Sequence, residues 1–158
     1  MIFLTVGGSN IPFDRLAGAV DLLAADELVV AQLGPARISP ATAVAIPYLP
    51  LPVMQRCVRE ARVVVAHAGI GAVAMCLRMG KRPVVVPRRK DQRESVDDHQ
   101  VAFAHRVAKL GVATVVEDIG QLPSTLAQAD DFSVPDLGTS RRLVDELVRY
   151  VESAVATG

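Results

Sequence analysis

Short runs of apolar residues, rich in valine, alternate along the chain with segments in which apolar residues recur every three or four positions. The runs predict strands, and the spaced apolar positions predict helices between and after them. Glycine or proline marks the end of several of these segments. The predicted strands cover residues 2–6, 28–33, 43–46, 62–66, 83–86 and 112–116. The predicted helices cover residues 13–23, 54–61, 69–79, 96–110, 122–128 and 140–156.

This alternation indicates an α/β domain with a Rossmann-like parallel sheet and helices on both faces. The 158 residues, of which 51% are hydrophobic, suffice for one core, and residues 1–158 are predicted to form a single domain. Ligands of such sheets collect at the carboxyl ends of the strands. Functional side chains are therefore expected just after the predicted strands, near Gly7, His67 and Pro87.

The composition argues against several classes of partner. Seventeen basic and 17 acidic residues give a formal net charge of zero, and only 4% of residues are aromatic, none of them Trp. A nucleic-acid-binding protein is normally basic and stacks bases on aromatic rings, so no nucleic-acid partner is expected. The longest apolar stretch, residues 63–75, is shorter than the roughly 20 residues of a membrane span. Without a secretory signal, and with Cys57 and Cys76 in apolar helical patterns, a cytoplasmic protein without a disulfide is expected.

The turn after the fourth predicted strand has the features of an anion site. In residues 67–71, His-Ala-Gly-Ile-Gly, glycines allow close approach of a ligand to the backbone at a helix N-terminus. A phosphate is the expected ligand, and His67 would add a hydrogen bond. Alternatively, Gly69 and Gly71 only permit tight packing and His67 is a hydrogen-bonded core residue. The turn also matches a loose dinucleotide fingerprint, although that motif belongs after a first strand.

A charged segment follows the fifth predicted strand. Arg88, Arg89 and Lys90 come first, and acidic and amide residues follow up to Gln100. The segment is either a solvated loop or, because it follows a buried strand, part of a site for an anionic ligand with hydroxyl groups. Asp97, Asp98 and His99 are adjacent and would point in different directions on a helix, so no metal site is expected. No catalytic residue can be assigned from these patterns.

Four segments together resemble the nucleotide-sugar-binding, C-terminal half of GT-B glycosyltransferases. They are TVGGSNIPFDRL at 5–16, VVAQLG at 29–34, AHAGIGAVAMCLRMGKRPVVVPRR at 66–89 and ESVDDHQ at 94–100. The nearest resemblance is to small family 28 subunits similar to the catalytic subunit of the dolichol-linked UDP-GlcNAc transferase and to bacterial exopolysaccharide glycosyltransferase subunits. It covers residues 1 to about 118. It implies a UDP-sugar-dependent hexosyltransferase with a UDP-sugar as donor substrate and no cofactor or metal.

The resemblance also implies where the donor binds. The diphosphate would lie near the first glycine loop and the turn at 67–71, and the uracil and sugar against the loop at 87–92. In closer relatives, the segment that corresponds to residues 94–100 is instead the more prominent part of the donor site. The implied nucleotide-sugar-binding residues are Gly7, Gly8, Ser9, His67, Ala68, Gly69, Ile70, Gly71, Pro87, Arg88, Asp91, Gln92, Glu94, Asp98, His99 and Gln100.

Two positions depart from the pattern of the family. Related sequences commonly carry Ser after the second glycine of the turn and Glu three residues later, where the Glu binds the ribose hydroxyls. This chain has Ala72 and Met75 there. Another residue such as Glu94 would have to replace the Glu, or donor binding is weakened. A degenerate, non-catalytic scaffolding subunit is therefore an alternative function, and an NADP-binding protein is a further one.

The resemblance further implies that catalysis needs a second protein. The sequence begins with the first strand of the donor half and leaves no residues for an acceptor half. A membrane-anchored acceptor-binding glycosyltransferase subunit is therefore the expected partner, in polysaccharide or glycolipid synthesis on a lipid-linked acceptor. This chain would then lie in the cytoplasm, peripheral to the inner face of the membrane. The apolar stripe of the predicted helix at 140–156 is expected to pack on its own sheet or on that partner.

Overall fold

A computed structural model describes residues 1–24 and 27–128 of the chain. Within these ranges the chain alternates between strands and helices, as the sequence pattern predicts. The strands are β1 (Ile2–Thr5), β2 (Val29–Gln32), β3 (Val44–Ile46), β4 (Val63–His67), β5 (Val84–Val86) and β6 (Thr114–Val115). The α-helices are α1 (Asp14–Gly18), α2 (Val20–Leu23), α3 (Leu51–Glu60), α4 (Ile70–Arg78), α5 (His99–Lys109) and α6 (Leu122–Gln128), the last preceded by a 3₁₀ turn (Ile119–Gln121).

The six strands form one parallel sheet in the order β3-β2-β1-β4-β5-β6. The centre of the sheet is β1, where Leu4 pairs with Ala31 of β2 on one side and with Val65 of β4 on the other. This order confirms the predicted Rossmann-like fold class. The order reverses at β1, so the loops after β1 and β4 diverge and leave a crevice between them.

Alternation along the strands produces two apolar layers. Ile2, Leu4 and Val6 point to the face covered by α1, α2 and α6, which contribute Leu16, Val20 and Leu122. Phe3 and Val64 point to the opposite face, where Val58 of α3 and Cys76 of α4 pack on them. Phe103 and Val107 of α5 pack against Val85 and against Val73 and Leu77 of α4 in a neighbouring cluster. The carboxyl edge of the sheet is therefore held between helices on both faces.

Three predicted helices differ from the structure, and one of them, predicted over residues 54–61, begins earlier, at Leu51. The helix predicted over residues 13–23 is divided at Ala19, just after Gly18. Here the N–H of Ala19 donates to the carbonyl of Leu16, and the N–H of Leu22 donates to the carbonyl of Ala19. Each bond spans three residues instead of four, so the chain is wound more tightly at this point. The helix predicted from residue 96 begins only at His99, because Asp98 accepts a bond from the backbone N–H of Lys90 and anchors the preceding loop. Val96 is accordingly 75% exposed.

The predicted helix at 140–156 lies outside the described residues. Among the residues that the structure does describe, no helix combines the length and the apolar character needed to cross a membrane.

Candidate functional site

A cavity of about 510 Å³ opens at the point where the strand order reverses. Its floor is the end of β1 with its glycine loop and the end of β4, and its walls are α3 and α4. This is the position at which ligands of doubly wound sheets bind. The lining residues are Thr5, Gly7, Gly8, Leu51, Met54, Gln55, His67, Gly71, Ala72, Ala74, Met75, Arg78 and Met79.

The imidazole of His67 lies at the base of this cavity, at the last residue of β4. Its ring fills the space beside Gly7 and Gly69, where a Cβ on either glycine would overlap it. Burial first, and then repulsion from the Arg88 guanidinium, lowers the pKa of His67 to about 4. The ring is therefore neutral at pH 7. Its Nδ1 atom is buried and has no hydrogen-bond partner among the described residues.

Helix α4 begins directly beside this ring. Its N-cap is Gly69, in an extended conformation (φ −95°), and no side chain caps the helix. The first backbone N–H groups of a helix have no intrahelical acceptor and carry partial positive charge. The uncapped N-terminus of α4 and the His67 ring thus both border the cavity. Together they form a site suited to an anionic group such as a phosphate.

The glycine loop after β1 is fixed in place by buried polar groups. Gly7 has a left-handed backbone (φ +82°), which favours glycine. Its carbonyl accepts a bond from Gln32 Nε2 at 3.2 Å, and its N–H donates to Thr5 Oγ1 at 3.2 Å. Gly8 lines the cavity, whereas Ser9 Oγ accepts from the N–H of Ile11 within its own loop.

Arg88 supports this loop from inside the protein. Only 1% of the residue is exposed, although it belongs to a run of charged residues. Its guanidinium donates to the carbonyls of Val6 (2.9 Å), Ile11 (2.8 Å), Pro12 and Glu94 (3.0 Å), and lies 4.6 Å from the centre of the Phe13 ring. Arg88 thus joins the ends of β1 and β5 and does not line the cavity.

The segment at 94–100 builds the loop beside Arg88. The carboxylate of Glu94, 5% exposed, accepts two bonds from Arg15 at 2.8 and 2.9 Å and one from the backbone N–H of Arg89. Gln100 Oε1 accepts from the backbone N–H of Arg88. His99 Nδ1 lies 2.8 Å from Asp97 and is exposed. Glu94, which was the sequence-based substitute for the missing ribose contact, is therefore occupied by other partners.

The candidate residues of the loop at 87–92 also lie outside the main cavity. The carbonyl of Pro87 accepts from Arg15 Nη2, and the exposed Asp91 is 3.4 Å from Arg89. Gln92 lines a separate, polar cavity of about 420 Å³ together with Arg37 and Arg93. Of the predicted residues, the structure therefore places Gly7, Gly8, His67 and Gly71 at the main cavity. Ala68 is instead buried in the core, Ile70 packs against the same core cluster, and neither Ser9 nor Gly69 lines the cavity. The predicted residues of the loops at 87–92 and 94–100 lie outside it.

Sequence analysis did not identify several residues of the cavity. Its walls include Leu51, Met54 and Gln55 of α3, Arg78 at the end of α4, and Met79 directly after it. The chain has no local motif at these positions, because they reach the site through the packing of α3 on the sheet. Ala72 and Met75, the two departures from the family pattern, also line the cavity. No group of His, Cys, Asp and Glu suited to a metal ion occurs in the described parts of the chain.

The low pKa of His67 predicts a specific dependence of stability on pH. An unfolded His67 takes up a proton near pH 6.5, whereas the folded residue does so only near pH 4. Between these values the unfolded state holds more protons, so stability falls as the pH is lowered. We expect wild type to lose up to roughly 3 kcal/mol more than His67→Gln between pH 7 and pH 4, measured by urea unfolding. Parallel pH profiles of the two proteins would contradict this.

Comparison with known proteins identifies the kind of domain. A sequence model described as "Glycosyltransferase family 28 C-terminal domain" matches residues 17–134. The UDP-N-acetylglucosamine transferase subunit ALG13 of Yarrowia lipolytica is 29% identical over 99 residues, which are 58% of this chain and 48% of that protein. This chain thus spans about half the length of the curated relative that it matches.

Solved structures of similar fold are glycosyltransferases. The glycotransferase of kitacinnamycin matches with a TM-score of 0.60 at 22% identity, over 96% of this chain and 39% of that chain. MurG of Acinetobacter baumannii matches with a TM-score of 0.55 at 20% identity, over 93% of this chain and 49% of that chain. At these identities the likeness concerns the fold.

Proposed function

The chain belongs to the glycosyltransferase family 28 C-terminal domain family, and on that premise we propose that it is the donor-binding subunit of a UDP-sugar-dependent glycosyltransferase. The relative from Yarrowia lipolytica, named as a subunit of a UDP-N-acetylglucosamine transferase, supports this assignment. The structural observation that carries it is the cavity at β1 and β4, which the buried His67 imidazole and the uncapped N-terminus of α4 both border. A nucleoside diphosphate presents the anion that such a site binds.

The proposed chemistry is direct displacement at the anomeric carbon of the donor sugar. An acceptor hydroxyl attacks that carbon and gives its proton to a base of the acceptor-binding protein, while the bond to the diphosphate breaks and the nucleoside diphosphate leaves with the electron pair. The N-terminus of α4 would stabilise the negative charge that develops on the diphosphate. Neutral His67 would donate one N–H to the same group without the cost of burying a second charge beside Arg88. No general base is assigned to this chain.

The acceptor would be supplied by a second protein. We propose that a membrane-anchored glycosyltransferase subunit holds a lipid-linked acceptor over the carboxyl edge of this sheet, at the inner face of the membrane. The description of the relative as a transferase subunit supports a partner of this general kind. The product would be a polysaccharide or glycolipid.

A scaffolding role without catalysis is a second candidate, because one observation favours it. Ala72 and Met75 line the cavity where related sequences carry hydrogen-bonding side chains. If donor binding is too weak, the fold stays intact but the sugar-transfer activity is lost. Binding of UDP therefore distinguishes this candidate from the proposed function.

Transfer of radiolabelled sugar from UDP-GlcNAc and other UDP-sugars to a lipid-linked acceptor tests the proposal. We expect little transfer by the purified chain alone, and transfer on mixing with membranes that contain the partner. His67→Ala should reduce that transfer at least tenfold, since an imidazole hydrogen bond to a charged group is worth about 1.5–3 kcal/mol. Full activity of the isolated chain would contradict the need for a partner, and inactivity of the mixture would favour scaffolding.

A further inference from the structure

The walls of the main cavity are apolar beyond the anion site. Past His67 and the start of α4, they consist mainly of the side chains of Leu51, Met54, Met75 and Met79, with Ala72 and Ala74 between them. The polar side chains on these two helical walls are Gln55 and Arg78, and Arg78 is exposed. Within the described residues, no carboxylate lines this cavity.

The shape of the site decides which part of the donor meets these walls. If the diphosphate lies at the N-terminus of α4, one end of the donor must continue along α4. The anomeric carbon has to remain open to an acceptor, so the nucleoside is the end that enters between α3 and α4. Met75 follows Gly71 by four residues, about one helical turn or 6 Å along the axis. The group attached to the diphosphate, the ribose, therefore meets Met75.

We propose that this cavity does not select for the ribose 2′-hydroxyl, so that 2′-deoxynucleoside diphosphate sugars, such as those of thymidine, belong to its donor class. The inference rests on the proposed function. A binding site discriminates strongly for a hydroxyl only where a buried polar group would otherwise be left without its partner. A methionine thioether is only a weak acceptor, so no buried polar group is left without its hydrogen-bond partner when the hydroxyl is absent.

Gln55 is the side chain that could oppose this conclusion. Its amide lies on the α3 wall and is able to bond a hydroxyl. A neutral hydrogen bond of this kind changes affinity less than a bond to a carboxylate. Selection by Gln55 alone is therefore expected to stay within about tenfold.

The test compares UDP with 2′-deoxy-UDP, which differ by one hydroxyl group, in calorimetric titrations of the full chain. We expect the dissociation constants of the wild-type protein to agree within about tenfold. Met75→Glu should raise the preference for UDP at least about tenfold above that of the wild type, since a carboxylate makes the stronger bond. Met75→Leu, which keeps the volume and the apolar character, is the matched control and should keep the wild-type ratio.

The outcomes separate this inference from the proposed function. A wild-type preference for UDP above about tenfold would overturn the inference and leave the proposed function standing. An unchanged ratio in folded Met75→Glu would also overturn it, because Met75 would then not meet the ribose. Binding of neither nucleotide by the wild type would refute the proposed function and the inference with it. Circular dichroism establishes that each variant is folded.

Discussion

Arg88→Ala is expected to lower the free energy of unfolding by about 3–5 kcal/mol, because each buried carbonyl left without a donor costs about 1–3 kcal/mol and the lost side chain leaves a cavity. The guanidinium donates to the carbonyls of Val6, just after β1, of Ile11 and Pro12 in the following loop and of Glu94, and it lies over the Phe13 ring. Burial lowers the pKa of Arg88, but a guanidinium stays charged in proteins. Its removal leaves buried carbonyls without donors and a cavity beside Phe13. Urea denaturation monitored by circular dichroism measures the loss.

Arg89→Ala is the matched control for Arg88. Arg89 is adjacent in sequence and has the same charge, but its side chain is 36% exposed and its ion pair with Asp91 spans 3.4 Å. An exposed pair of this kind contributes about 0–1 kcal/mol. If the two substitutions lowered the free energy of unfolding equally, Arg88 would not be the residue that holds the loop after β1 in place. A stable Arg88→Ala protein with weakened, salt-sensitive UDP binding would instead support the sequence-based view that Arg88 contacts the nucleotide.

The sheet was predictable because its central strands β1, β2, β4 and β5 are almost entirely buried. A continuous run of Val, Ile and Ala is removed from water only if both faces of the strand are covered. The intervening segments each have one apolar side, as helices that cover a sheet do. The glycine turn at 67–71 was also located from the sequence, which left open whether its glycines bind a ligand or only permit tight packing. His67 and Gly71 line the cavity, whereas Ala68 is buried in the core, and binding of a nucleotide there is still a prediction.

The basic residues at 88–90 show what a sequence pattern alone cannot reveal. Arg88 and Arg89 are chemically equivalent in the sequence, yet one is buried under the glycine loop and the other faces solvent. Their separation depends on carbonyls from Val6 and Ile11, which are more than 70 residues away. The same holds for Glu94, whose partner Arg15 lies on the first helix. Long-range pairs of this kind arise from the packing of the completed sheet.

Gly69→Ala is expected to disrupt the site through the addition of a single methyl group. The new Cβ would overlap Nε2 of His67, whose ring is confined by Gly7 on its other side. Since the φ of Gly69 is −95°, the backbone accepts alanine and the effect is steric. Overpacking of this kind costs about 1–3 kcal/mol, and the displaced ring would weaken UDP binding at least tenfold if His67 and the α4 N-terminus hold the diphosphate. Thermal unfolding and UDP titration measure the two effects.

Two variants control this prediction. Gly71→Ala adds the same methyl group two residues later, where no heavy atom lies within 4 Å, and should leave stability unchanged or raise it by up to about 1 kcal/mol. His67→Ala combined with Gly69→Ala removes the overlap and should recover the stability lost by Gly69→Ala. Equal stability of Gly69→Ala and Gly71→Ala would show that the His67 ring has another position available.

The most direct test of the donor-binding assignment is calorimetric titration of the wild-type chain with UDP and, separately, with NADPH. Both ligands carry a diphosphate, so the comparison separates a glycosyltransferase donor site from a dinucleotide site that shares the same sheet. We predict that UDP binds at a stoichiometry of one and that NADPH does not compete with it. Binding of NADPH without binding of UDP would contradict the account, and so would the absence of binding by either ligand.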